Sequence, residues 1–150
     1  MYSEAIPSRY QRRCLIGLFS CGLVAIFYFG LMAQFPTPAE PILYIRNDHL
    51  LHVCAFGFLS LVGPAALGAD GDSAPSAFCR SLVWRRWAPM AMMVAALIAV
   101  GGVLEIAQMA VPSRETSWID WGASSTGVVL GAFLFVMVRS FVMLVSEAKP

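Results

Sequence analysis

The stretch VLEIAQMAVPSRETSWIDWGASSTGVVLG, Val103–Gly131, decides the fold. Both of its ends are apolar enough for lipid, yet its middle carries Glu105, Gln108, Arg114, Glu115 and Asp120. Pro112 cannot continue a helix. The segment VPSRETS, Val111–Ser117, therefore reads as a tight turn between two membrane helices. The hairpin leaves a carboxylate and an amide on one arm and Asp120 with Ser124 on the other.

Working outward, the whole chain has the composition of a membrane protein. Its 150 residues suit one domain. They are 59% hydrophobic and 13% charged, with mean hydropathy +0.72. A soluble domain is about a quarter charged. The sparse charge also excludes a nucleic-acid binder, which shows a basic face. Cys14, Cys21, Cys54 and Cys79 form no CxxC pair and read as small apolar fillers. LFSC, Leu18–Cys21, is a poor lipidation box, because Phe19 is bulky and the apolar run continues past it. No cofactor and no metal site are expected from these spacings.

A helix needs about 20 apolar residues to cross the hydrocarbon core. Four spans meet that need: Cys14–Phe35, Leu50–Leu67, Pro89–Val111 and Trp118–Val138. The first is too long for a signal peptide, and Pro36, Pro38 and Pro41 end it. Pro89 is expected in the first turn of the third span. GADGDSAPS, Gly68–Ser76, is a polar loop, and CRSLVWRRW, Cys79–Trp87, suits the headgroup interface. The prediction is an all-α bundle of four transmembrane helices with short loops.

Placing both termini in the cytoplasm puts Arg9, Arg12, Arg13, Arg80, Arg85, Arg86, Arg139 and Lys149 inside, and only Arg46 and Arg114 outside. That bias of eight against two follows the positive-inside rule. Arg139 then marks the inner end of the fourth span. Trp118, Trp121 and Tyr44 would anchor the outer interface, and Trp84 and Trp87 the inner one.

This topology brings polar residues of three helices to one outer level. Asp48 and His52 are four apart and share a helix face. Glu105 and Gln108, three apart, share another. Asp120, Ser124, Gly127 and Gly131 make one stripe, polar at the outer end and small toward the centre; the glycines let another helix approach. A charged carboxylate at the centre of a membrane helix costs about 3 kcal/mol. Glu105 lies about 10 Å of helix before Pro112. It needs a partner, and His52, Arg46, Arg114 or a hydrogen bond from Gln108 would serve. Simpler roles exist for the others. Asp48 would cap the second helix, and Asp120 would favour the positive end of the fourth.

These residues carry a resemblance. NDHLLHVCAFGFL, Asn47–Leu59, resembles a segment of the VanZ-like family in which Asp, His, an aromatic and Leu recur as Asp48, His52, Phe56 and Leu59. EIAQMAVPSRETSWIDWGASSTGVVLG, Glu105–Gly131, is similar to the family's second segment, matching at Glu105, Gln108, Arg114, Ser117, Asp120, Gly127 and Gly131. The resemblance covers Arg46 to Phe135. It departs where the family has Lys (His49), Phe (Val53), Tyr (Phe56) and Asn (Ser124). The Lys change removes a fixed cation, and the Asn change shortens a side chain able to reach Glu105 or Gln108. The resemblance implies a bacterial inner-membrane protein of the cell envelope; the family's namesake is linked with teicoplanin resistance. It implies no reaction.

Three functions follow as expectations. In the first, Arg46, Asp48, His52, Glu105, Gln108, Arg114, Ser117, Asp120 and Ser124 form an outer-leaflet pocket for a lipid-linked envelope component. Membrane lipids, envelope precursors or other envelope proteins are then the partners. In the second, an intramembrane hydrolase or transferase uses His52 and Glu105 as base and acid, or Asp48, His52, Glu105 and Asp120 hold a divalent metal. Against that version stand the lack of an HExxH motif and the position of His49 where the family has Lys. In the third, the polar residues only lock the helices together.

Overall fold

The computed structural model describes residues 9–31, 47–67, 83–111 and 117–147. They form α1 (Arg9–Leu31), α2 (Asn47–Leu67), α3 (Val83–Gln108) and α4 (Trp118–Glu147). Pro36, Pro38, Pro41, Tyr44, Arg46, the loop Gly68–Ser76, Cys79, Arg80, Pro112, Arg114 and Lys149 lie outside the described residues. So do the side chains of Trp84, Arg85 and Arg86. All four helices are long and apolar enough to cross a membrane, which makes the chain a multi-pass, all-α membrane protein.

α1 and α2 begin earlier than the expected spans, at Arg9 and Asn47 in place of Cys14 and Leu50, and three further bounds differ. α3 begins at Val83, so Pro89 sits well inside the helix and not in its first turn. There it removes one backbone hydrogen bond from the ladder. The helix persists because apolar residues continue on both sides of it. At its other end α3 stops at Gln108, and Met109 to Val111 form a turn closed by Met109 N–H to the Ile106 carbonyl at 3.1 Å. α4 runs on to Glu147, so Arg139 is not its end. Phe141, Val142, Leu144 and Val145 keep that last stretch apolar and exposed.

α2 is the hub, packing on each of the other helices, while among the described residues α1 and α4 are not packed on each other. Its main partner is α4, and the two run parallel. Hydrophobic burial gives little drive to helix association in lipid, so close van der Waals packing must supply it. Small residues make that approach possible. A Cβ at Gly127 would strike the Val53 backbone, with Val53 Cα at 2.9 Å. A Cβ at Gly131 would strike the Gly57 backbone, with Gly57 C at 2.9 Å. Glycine is thus obligatory on α4 at both positions, and the expected small-residue stripe is a seam against α2.

Beside this seam lies an apolar core of Phe56, Leu59, Met93, Leu97, Leu104 and Val128, joined by Phe19, Leu23, Ile26 and Phe27 of α1. Trp121 does not serve simply as an interfacial anchor. Its indole lies over Gly101 and Gly102 of α3 and donates from Nε1 to the Ile98 carbonyl at 3.1 Å. Trp118, 86% exposed, fits the anchoring role better.

Polar clips hold α1 at both ends. The Arg12 guanidinium donates to the Ala66 and Leu67 carbonyls at 3.5 and 3.4 Å. These belong to the last turn of α2, whose carbonyls have no partner within the helix. Gln108 makes the clip at the other end.

Gly131→Ala should destabilise the protein by roughly 1–3 kcal/mol, because backbone stands in the way of the new methyl. Gly122→Ala, with open space around it, should be neutral or stabilising by up to about 1 kcal/mol. Thermal unfolding in detergent, followed by helical circular dichroism, checks both.

Candidate functional site

One end of the bundle carries the start of α2, the end of α3 and the start of α4. Asp48 and His49 stand in the first turn of α2, with His52 one turn on. Glu105 and Gln108 stand in the last turn of α3. Asp120 is in the first turn of α4, with Ser124 one turn on.

The parallel seam between α2 and α4 sets what meets what. Following the register of Val53 on Gly127 and Gly57 on Gly131 back toward this end brings α2's histidines against α4's polar residues. His49 Nδ1 bonds Asp120 Oδ1. His52 Nδ1 lies 2.9 Å from the Ser124 hydroxyl. The His52 ring also stacks on Phe56, with planes 7° apart and centroids 6.5 Å apart. Phe56 is fully buried, so it limits how far the imidazole can tip.

Glu105 is buried at 8% exposure, and Ser117 N–H donates to its Oε2 at 3.3 Å. Ser117 therefore does two jobs. Its hydroxyl accepts from Ile119 N–H at 3.2 Å as the cap of α4. Its own amide turns toward the α3 carboxylate. A capping residue folds the chain so that its N–H points back out of the helix, where the carboxylate at the end of α3 receives it.

Gln108 departs from the expected role of supporting Glu105. Its Nε2 donates to the Gly30 carbonyl at 2.9 Å, closing the last turn of α1. Leu104 packs on Gly30 in the same place; a Cβ there would lie 2.9 Å from Leu104 Cδ1. Ser124 pairs with His52.

The structure thus brings His52, Glu105 and Asp120 together. One ligand atom from each lies within 4.8 Å of the other two. Asp48, His49 and Asp120 form a second such group. Asp48 Oδ1 accepts from His49 N–H at 3.0 Å. Arg46 and Arg114 are the two expected site residues outside the described positions.

His49 is the residue that sequence reasoning undervalued. It replaces a basic residue of the resembled segment, yet it still offers a group able to carry positive charge, aimed at Asp120. The signal was present: residues 49, 53, 57 and 60 recur at helix spacing, as the stripe on α4 does. Gly57 within that series pointed to the side of α2 that meets another backbone.

A groove of about 430 Å³ adjoins this cluster, bounded by α1, α2 and α3. Its walls are apolar, among them Gly22, Ile26, Phe29, Ala55 and Phe58. Asp48, His52 and Gln108 are its polar members. Phe29, Leu51 and Phe58 are each more than 40% exposed, so the mouth of the groove opens at the apolar flank.

Fold and site together define a multi-pass helical membrane protein with a buried histidine–carboxylate cluster at one end of its bundle. No family model, no curated protein and no solved structure matches the chain.

Ser117→Ala should cost about 1 kcal/mol through loss of the α4 cap, and Ser117→Thr should keep most of it. Comparison of the two variants by thermal unfolding in detergent measures the cap.

Proposed function

We propose that the protein binds a lipid-linked component of the bacterial cell envelope, its apolar chain in the groove and its polar head at the histidine–carboxylate cluster. The carrying observation is the continuity of the two: Asp48 and His52 belong both to the groove wall and to the polar cluster. A molecule that satisfies both surfaces has a hydrocarbon part and a hydrogen-bonding part. Membrane-spanning helices on every side make a lipid the natural occupant.

The charge distribution supports a setting in the bacterial inner membrane, both termini in the cytoplasm and the polar end in the outer leaflet. The resemblance of residues 46–135 to the VanZ-like family supports the same setting and an influence on glycopeptide susceptibility. In this reading Arg46, just before α2 in sequence, and Arg114, between α3 and α4, hold phosphate or carboxylate of the head.

A second reading draws on the same approach of His52 to Glu105. A base and an acid at that spacing suit an intramembrane hydrolase or transferase. The bonds of Gln108 to Gly30 and of Ser117 to Glu105 favour, for those two residues, a share in locking the bundle.

Ala25→Trp fills the groove from α1, which contributes no residue to the polar cluster. Lipids co-purifying with the wild-type chain in mild detergent, identified by mass spectrometry, should include a polyprenyl- or glyco-lipid. Its recovery should drop about ten-fold in Ala25→Trp, and Glu105→Gln should alter teicoplanin susceptibility of cells. Unchanged lipid recovery and unchanged susceptibility at normal protein levels would sink the reading.

A further inference from the structure

We infer that His52, Glu105 and Asp120 bind one divalent first-row transition-metal ion of the zinc type. The three side chains come from three different helices, α2, α3 and α4. Their ligand atoms already lie within 4.8 Å of one another. Metal–ligand bonds of about 2.0–2.2 Å place ligand atoms some 3–4 Å apart around an ion. From separations of at most 4.8 Å, the cluster reaches that spacing by small turns of its side chains.

Electrostatics favours the ion. Among the described residues, this end gathers three carboxylates, Asp48, Glu105 and Asp120, against two imidazoles, His49 and His52. Glu105 and Asp120 are 8% and 9% exposed. Two negative charges this close in a low-dielectric bundle oppose each other, and a divalent cation between them offsets the opposition. The hydrogen bonds from His49 and Ser117 are compatible with it, since a carboxylate has two oxygens and several lone pairs.

The donor set selects the ion's class. Magnesium and calcium prefer all-oxygen cages, an imidazole nitrogen suits zinc or iron, and manganese takes carboxylates, of which two are present. The orienting shell is present too. Metal-bound histidines use their other ring nitrogen for a hydrogen bond that fixes the ring. His52 Nδ1 has such a bond, to Ser124 at 2.9 Å, which assigns Nε2 to the ion. Phe56 backs the ring.

Three protein ligands leave at least one coordination position open, as in catalytic zinc sites. His52 also lines the groove, so that position stands where the head of a groove-bound lipid reaches. A phosphate oxygen or a water would occupy it. Only this last step rests on the lipid reading; the ion itself rests on the three side chains.

The test uses the full chain in detergent micelles with Cys14, Cys21, Cys54 and Cys79 each changed to Ser, which removes competing thiols. After chelator treatment, equilibrium dialysis against Zn2+ or Mn2+ is followed by elemental analysis, with Mg2+ for comparison. The expected result is one zinc or manganese per chain and a rise in unfolding temperature on adding the ion. His52→Gln and Glu105→Gln should lose the ion, and Ser124→Ala should weaken it about 10–100-fold. Helical circular dichroism establishes that each variant is folded, and Ser124→Ala carries the test should a ligand variant unfold. Retention by both ligand variants, or no ion above background in the folded parent, overturns the proposal. Loss in His49→Gln with retention in His52→Gln overturns it as well, by moving the ion to Asp48, His49 and Asp120. Ala25→Trp, on the α1 wall of the groove, should keep the ion while losing the lipid. An ion-free protein that still recovers the lipid sinks the metal and leaves the lipid reading standing.

Discussion

The rest of the structure depends on the backbone contact between α2 and α4. Gly127 rests on Val53 and Gly131 on Gly57 with no room for a side-chain carbon. In lipid, where burial gives no advantage to apolar pairs, such contact is what fixes two helices against each other. It also fixes their heights. Each residue on the α2 face meets a partner 71 to 74 positions later: His49 with Asp120, His52 with Ser124, Val53 with Gly127, Gly57 with Gly131. The polar pairs and the glycine pairs belong to one register. A slip of one turn, about 5.4 Å, would break both together.

The parallel run of α2 and α4 gives α3 its role. Two parallel helices must be joined by a crossing element, and α3 is that element. It returns the chain to the end where α2 began and delivers Glu105 there. The capped start of α4 then meets the end of α3 through the Ser117 N–H. Trp121, seated on Gly101 and Gly102, holds the two arms side by side. The carboxylate in the apolar arm is thereby placed by backbone features on both sides of the turn.

Much of this was legible in the sequence, and for physical reasons. Span lengths follow from hydropathy, because a bilayer has a fixed thickness. The stripe Asp120, Ser124, Gly127 and Gly131 could be read because helical periodicity puts those residues on one face. The partners of that face could not. Periodicity gives a direction for a side chain but not the helix it meets, so Asp48 and His52 read as site residues while His49 reads only as a departure. Gln108 shows the same gap: its spacing from Glu105 suggested a mutual bond, yet its amide goes to the end of α1. Helix ends were the other weak point. Pro89 looked like a start, but the flanking residues sustain the helix through it, and α4 runs past Arg139 because apolar residues resume there.

The two clips on α1 have a mechanical consequence. The seam of α2 on α4 is a contact between backbones, which yields only if the helices part along their length. α1 packs through side chains and is tied by Arg12 at one end and Gln108 at the other. The groove therefore has one unyielding side and one side held at two points. A bulky hydrocarbon entering from the bilayer would displace α1 like a door on two latches, while the histidine–carboxylate cluster stayed in place behind it.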